Sequence, residues 1–300
     1  MSKGIILIAT GSFNYGIMAL NLAMSIKRQS KIPICLLTNL KDEACEYINN
    51  VSKLDNLNVS NIFDIIKQIP NEYIVNDKVN FSLLKISLDK LSPFDKTIYI
   101  DIDTCVLNTS FLNIVLDQLD TLELIFQTDG FKKILKTDSI YNNLTTWSEY
   151  SNAFSLKLEN GCPQIHSYFF AFKKSKLVSD FFNNCRYFYN KIMNTELFKQ
   201  PFYGSVSDEV VIHLSFIKSQ QLLKLYSNFV FTPVCDYNYK EHISNIINFS
   251  LITFCGSWTY EMISLYENIT SQNLKKILKA KHRPLRFVLL ENYFSNEFLT

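Results

Sequence analysis

Two aspartates one residue apart, Asp101 and Asp103, stand at the end of Thr97–Ile100, a run of β-branched and aromatic residues. A strand that delivers two carboxylates to its tip brings together like charges, and each needs water or a cation. Two arrangements meet that need. Either the pair sits in a solvated turn, or it holds a hard divalent cation such as Mn2+ or Mg2+, which prefers carboxylate and phosphate oxygens. Bound to a nucleotide diphosphate, such a cation would stabilise charge on the leaving group as a Lewis acid. Asp-x-Asp alone is a weak signal, so its weight depends on the elements that position it.

The sequence around it alternates. Gly4–Thr10 (GIILIAT) reads as a strand, and Tyr15–Arg28 as a helix with Ile17, Leu20 and Met24 on one face. Ile32–Thr38 is a second strand, Phe81–Leu91 a helix that stops before Pro93, and Thr97–Asp101 a third strand. Short apolar strands alternating with helices predict a parallel sheet covered on both faces. In such sheets ligands bind beyond the carboxyl ends of the strands. Thr10, Thr38 and the Asp101/Asp103 pair all fall at those ends, so they are expected near one edge of the sheet. Further on, Leu122–Phe126 and Ser167–Phe172 read as strands, and Lys176–Ile192 and Ser207–Ile217 as helices. Ser250–Trp258 reads as a late strand and turn.

Composition narrows the classes. With 300 residues, 47% of them apolar and 19% charged, the chain can bury a sizeable core in one large α/β domain or two small ones. A net charge of +2 is too balanced for a general nucleic-acid binder. The seven cysteines are dispersed, without a C-x-x-C pair or zinc-like spacing, which fits buried thiols in a reducing compartment. No apolar run is as long as a membrane span, and GIILIAT lacks a cleavage site, so a soluble cytoplasmic protein is expected. From Leu274 the chain turns basic (LKKILKAKHRPLRF). That segment reads as a solvated helix end, a phosphate contact, or a peripheral attachment to an anionic membrane surface.

Phosphatases of the haloacid dehalogenase type also end a strand with two aspartates, but their pattern has Thr or Val two places after the second. Here that place holds Cys105, and Thr104 comes one step early. The first part of the chain instead resembles the glycogenin-like retaining glycosyltransferases of family 8. Ile8–Arg28 (IATGSFNYGIMALNLAMSIKR) is similar to that family's first strand, nucleotide loop and first helix. Leu83–Leu107 (LLKISLDKLSPFDKTIYIDIDTCVL) is similar to its Lys-bearing helix and Asp-x-Asp strand, with Lys85 preceding Asp101 by the family's interval of 16 residues. His166–Phe172 (HSYFFAF) resembles its Asn-Ser-Gly strand, and Ser207–Val211 (SDEVV) its Asp-Gln helix start, with Glu209 in place of Gln. The family's His-x-x-Gly-x-x-Lys motif has its best counterpart in TFCGSWT, where Thr253 stands for the His, Gly256 for the Gly and Thr259 for the Lys.

The resemblance implies a GT-A-type α/β fold: a mixed, mostly parallel sheet flanked by helices, with a C-terminal helical extension. It implies a single domain over residues 1–300. Residues 1–108 would be the nucleotide-binding half, 109–260 the sugar and acceptor half, and 261–300 a basic extension. The implied activity is metal-dependent transfer of a sugar from a UDP-linked donor to the hydroxyl of a glycan, lipid, protein or small molecule, with retention. Thr10, Tyr15, Thr38, Asp101 and Gly256 would contact the nucleotide, and Asp101 and Asp103 the metal. His166, Ser167 and Asp208 would meet the sugar, with Asp208 and Lys85 at the reacting centre. Each residue also has a plainer reading. Tyr15 would pack on the sheet instead of stacking on a base, Lys85 would snorkel at the surface, and Asp208 would cap its helix. His166 would be an ordinary buried histidine, and His213 and His242 carry no partner pattern. Two further functions stay open: the phosphatase, and a nucleotide-sugar or glycan-binding protein without turnover, which the missing His and Lys after residue 250 favour.

Overall fold

The computed structural model describes residues 1–10, 13–39, 62–134, 146–157, 162–195, 206–219, 231–234 and 251–254. Its elements begin with β1 (Lys3–Ala9), α1 (Phe13–Lys27), β2 (Ile34–Thr38) and β3 (Ile65–Gln68). There follow β4 (Ile74–Val75), β5 (Lys78–Val79), α2 (Phe81–Lys85), α3 (Leu88–Leu91), β6 (Lys96–Ile100) and β7 (Thr104–Val106). Next come α4 (Ser110–Gln118), β8 (Leu124–Ile134), α5 (Trp147–Ala153) and β9 (Cys162–Lys173). The last are α6 (Lys176–Met193), α7 (Asp208–Lys218), β10 (Phe231–Val234) and β11 (Leu251–Phe254). Six strands form one sheet in the order β3-β2-β1-β6-β9-β8. β1, β2 and β3 run parallel while β8 and β9 are antiparallel, so the sheet is mixed, as expected. A second sheet has the order β10-β11-β7, and β4 and β5 form a hairpin. The Gly256 turn and the basic extension lie outside the described residues.

The chain divides into two compact units. One comprises residues 4–69, 100–113 and 230–300. β1 from Gly4 onward and all of β2 are buried, as continuous apolar runs covered on both faces must be. Leu20 and Met24 of α1 are buried, as their helical spacing predicts. Ser25 ties α1 to β7: its hydroxyl donates to Leu22 O at 2.7 Å and accepts from Val106 N–H at 3.4 Å. Asp64 joins two elements, pairing with Lys27 at 2.7 Å and accepting the Ile34 N–H at 2.7 Å.

The other unit comprises residues 1–3, 70–99 and 114–229. Its core is aromatic: Tyr99, Phe126, Phe170, Phe172, Phe181 and Phe182 are buried, with Phe170 4.9 Å from Tyr99 and 5.3 Å from Phe126 between ring centroids. The helix expected over Phe81–Leu91 is broken into α2 and α3. Arg186 of α6 explains the break. Its guanidinium donates to the Ile86 carbonyl at 2.8 Å, an acceptor that the Lys90 N–H would otherwise use. Lys90 N–H bonds to Ser87 O instead, at 3.0 Å. The same guanidinium pairs with Asp89 at 2.7 Å, which fixes the break. Asn80 caps α2, accepting the Leu83 N–H at 3.0 Å. α2 therefore ends on Lys85.

Candidate functional site

The two aspartates sit in the turn between β6 and β7, each half-buried, with Ile102 buried between them. β7 is held by antiparallel pairing to β11, with Thr104 in register with Thr253. Side chains directly opposite in such a pair share a face. The Thr104 hydroxyl accordingly donates to Thr253 Oγ1 at 3.2 Å, and the Thr253 hydroxyl donates to Asp103 Oδ1 at 3.4 Å. This short relay aims a hydroxyl at one of the two carboxylates. The Asp103 charge is felt further on. Burial pushes the Cys105 thiol well above the ordinary range, and the Asp103 carboxylate adds to that shift. All the donors here are hard oxygens, which fits Mg2+ or Mn2+ and not a softer ion. Among the described residues no group of three His, Cys, Asp or Glu side chains gathers to hold a metal. A carboxylate pair completed by phosphate oxygens and water is the arrangement Mg2+ commonly accepts.

A second polar cluster lies in the other unit. Lys85 is 2% exposed, so it does not snorkel. Its ammonium lies 3.0 Å from Asp208 Oδ2 and donates to Ser167 Oγ at 3.2 Å. Phe81 and Tyr99 present their ring faces to it at 5.4 and 5.0 Å, so cation–π attraction supplies part of what burial removed. Asp208 opens α7 after Ser207, yet neither residue makes a side-chain cap bond. The Asp208 carboxylate is directed at Lys85 instead. Its Oδ2 has ion-pair proximity to the ammonium without the alignment of a hydrogen bond.

Glu209 holds the strand that carries Ser167. Its Oε1 accepts the Ser167 backbone N–H at 3.1 Å, with the Ser167 hydroxyl at 3.5 Å and His166 Nδ1 at 3.8 Å. One helical turn later, His213 Nε2 accepts the Ile165 N–H at 2.9 Å, which leaves the ring proton on Nδ1 to meet the Glu209 carbonyl at 2.7 Å. His213 is fully buried against Trp147, with ring centroids 5.1 Å apart. It is a neutral strut between β9 and α7.

The strand itself is irregular where the chemistry lies. Leu124, Ile125 and Phe126 of β8 pair with Phe172, Ala171 and Phe170, but the next residue, Gln127, pairs with His166. Ser167, Tyr168 and Phe169 are thus extra on β9, a bulge of the kind that re-aims side chains beside functional sites. β8 later carries extra residues between Thr128 and Lys133, which restores the original register.

The structure therefore brings Lys85, Ser167, His166 and Asp208 together, and adds Glu209. The helix-start pair Asp208–Glu209 was the sequence feature that pointed to it. Elsewhere, Thr10 follows Ala9, which is in register with Thr38, so both threonines lie at the same ends of β1 and β2. Tyr15, on the first turn of α1, is 41% exposed, a surface ring and not a buried one. Phe81, Tyr99 and Thr104 belong to the two clusters, and nothing in their local sequence marks them out.

No protein-family model matches the sequence, and no curated protein matches it. Solved structures do match. One is the bifunctional glycosyltransferase WbbM in its apo form, with a TM-score of 0.61 and 13% identity over 97% of this chain and 51% of that one. The present chain thus spans about half of its length. The galactosyltransferase LgtC, in complex with donor and acceptor sugar analogues, matches with a TM-score of 0.58 and 14% identity over 95% of this chain and 99% of that one. Mouse xyloside xylosyltransferase 1 in its apo form matches with a TM-score of 0.50 and 10% identity over 85% and 98%. At these identities the likeness establishes architecture: the chain has the GT-A-like fold found in glycosyltransferases.

Proposed function

We propose that the protein is a metal-dependent glycosyltransferase that moves a sugar from a UDP-linked donor to a hydroxyl acceptor with retention, as in family 8. The observation that carries this reading is the Asp101–Asp103 turn at the end of β6, with the Thr253 hydroxyl directed at Asp103, in a chain of this fold. Two carboxylates placed there suit a cation that itself carries a diphosphate. When bound, Mn2+ or Mg2+ would supply Lewis-acid stabilisation of the departing nucleotide. Thr10 directly after β1, Tyr15 on α1 and Thr38 on β2 belong to the same unit and serve the nucleotide in this reading, with the Tyr15 ring exposed for stacking on a base. Gly256 would join them.

Lys85, Asp208, His166 and Ser167 serve the sugar. Glycosyl transfer builds oxocarbenium-like charge at the anomeric carbon, as hydrolysis does. A carboxylate placed against a buried ammonium is suited to stabilise that charge, and Asp208, 3.0 Å from Lys85, is such a group. The Ser167 hydroxyl and the His166 ring offer hydrogen bonds that orient the sugar.

The test is incubation with UDP-sugars, with Mn2+ or with EDTA, following UDP release and the anomeric configuration of the product. Metal-dependent UDP release with a retained anomer is the expected result. Phosphate release from a phosphomonoester would point to the phosphatase. A UDP-induced rise in Tm without any release would point to a binding protein.

A further inference from the structure

Gln127 is buried, and its amide oxygen has no hydrogen-bond partner. Its NH2 group donates to the Thr128 carbonyl at 3.2 Å, so the amide is anchored at one end. Buried polar atoms in folded proteins are nearly always paired, and an exception needs a reason. The Ser87 and Ser151 hydroxyls also lack partners, but a hydroxyl rotates about a single bond and can turn toward a weak acceptor. The Gln127 oxygen is an acceptor fixed in place.

Its position gives the reason. Gln127 pairs with His166 at the bulge, and directly opposed residues of an antiparallel pair share a face of the sheet. His166 stacks on Tyr168, with ring centroids 4.9 Å apart and planes inclined by 14°, and lies 3.8 Å from Glu209. The orphan acceptor thus shares its face with the polar group that this strand contributes to the Lys85–Asp208 cluster. A ligand that fits there must supply a hydroxyl or amino donor.

We propose that the Gln127 amide oxygen accepts a hydroxyl of the sugar bound at this cluster, and that Gln127 thereby helps determine which sugar is taken. The inference rests on the glycosyltransferase reading and deepens it. A site built to hydrogen-bond a substrate hydroxyl discriminates strongly against analogues without it, because the buried partner is then left unpaired. The bulge provides the means, since an unbroken β8–β9 register would set Gln127 opposite Phe169 and not His166.

The experiment compares the wild type with Gln127→Leu and Gln127→Met, which keep volume and remove the acceptor. Calorimetry with Mn2+ gives the affinity for UDP and for UDP-glucose, UDP-galactose, UDP-N-acetylglucosamine and UDP-xylose, and melting without ligand gives Tm. The expected result has three parts. Affinity for UDP stays within about twofold, Tm holds or rises because an orphan acceptor is gone, and the extra affinity of the preferred UDP-sugar over UDP falls about tenfold or more. Unchanged sugar discrimination in folded variants overturns the proposal. So does a fall in Tm in both variants larger than loss of the one amide bond to the Thr128 carbonyl accounts for, which would mean the oxygen is already satisfied within the protein. A wild type that binds neither UDP nor any UDP-sugar sinks the glycosyltransferase reading itself, and is told apart by that control.

Discussion

Lys85 Nζ lies 3.0 Å from Asp208 Oδ2, between the ring faces of Phe81 and Tyr99. The pair joins the end of α2 to the start of α7. An ammonium enclosed in this way depends on its carboxylate, because a buried charge without a partner is far costlier than the pair itself.

Breaking the pair from either side should therefore cost stability as well as activity. Lys85→Met and Asp208→Asn are each expected to destabilise by about 3 kcal/mol, the lower end for a buried pair, because Asp208 is partly exposed. The double variant should lose clearly less than the sum. Urea unfolding of the four proteins measures this. Strict additivity would mean that the two groups do not depend on each other. Asp208→Asn should also suppress sugar transfer while leaving UDP affinity within about twofold, a change under 1 kcal/mol.

Asp101→Asn and Asp103→Asn should each abolish the metal dependence of UDP binding. The neutral amide keeps the shape and removes the charge that a divalent cation needs. Calorimetry of UDP with and without Mn2+ is the measurement. A folded pair of variants that keeps the full Mn2+ enhancement would falsify the metal-binding role of this turn.

Thr253 is buried with its hydroxyl directed at Asp103. Thr253→His should place an imidazole beside the carboxylate pair and lower the Mn2+ concentration needed for half-maximal turnover. The larger ring enters a packed place, and a stability cost of about 1–3 kcal/mol is expected. Thr253→Val is the control: it removes the donor to Asp103 with little change of shape and should not tighten Mn2+. If Thr253→His folds and its Mn2+ midpoint equals that of the wild type, Thr253 does not face the metal.

The described free thiols should be inert in the native protein. Burial pushes Cys35 and Cys185 up to about 12, and Cys105 higher still, with the Asp103 charge contributing at Cys105. At pH 8 almost none of these thiols is ionised, and the thiolate is the reactive form. Alkylation with iodoacetamide, read peptide by peptide, should leave all three unmodified until urea is added. Labelling of Cys105 at the rate of a free thiol would mean that the β7 turn opens readily.

Local pattern determined much of this protein. The apolar runs of β1 and β2 and the spacing of Leu20 and Met24 are properties of neighbouring residues, so the strand–helix alternation was legible from them. The Asp-x-Asp pair at the end of β6 was legible for the same reason. Lys85 was marked by its interval of 16 residues to Asp101. Its burial, however, depends on Asp208, Ser167, Phe81 and Tyr99, of which Asp208 and Ser167 lie far along the chain. The break between α2 and α3 depends on Arg186, a residue of α6, taking the Ile86 carbonyl. Likewise the β9 bulge is a matter of pairing, and its residues, Ser167 to Phe169, carry nothing that distinguishes them from a regular strand. Periodicity fixes which residues can form an element, because it follows from backbone geometry. Which carbonyl a distant guanidinium takes, and which carboxylate a buried ammonium meets, is settled only when the elements pack.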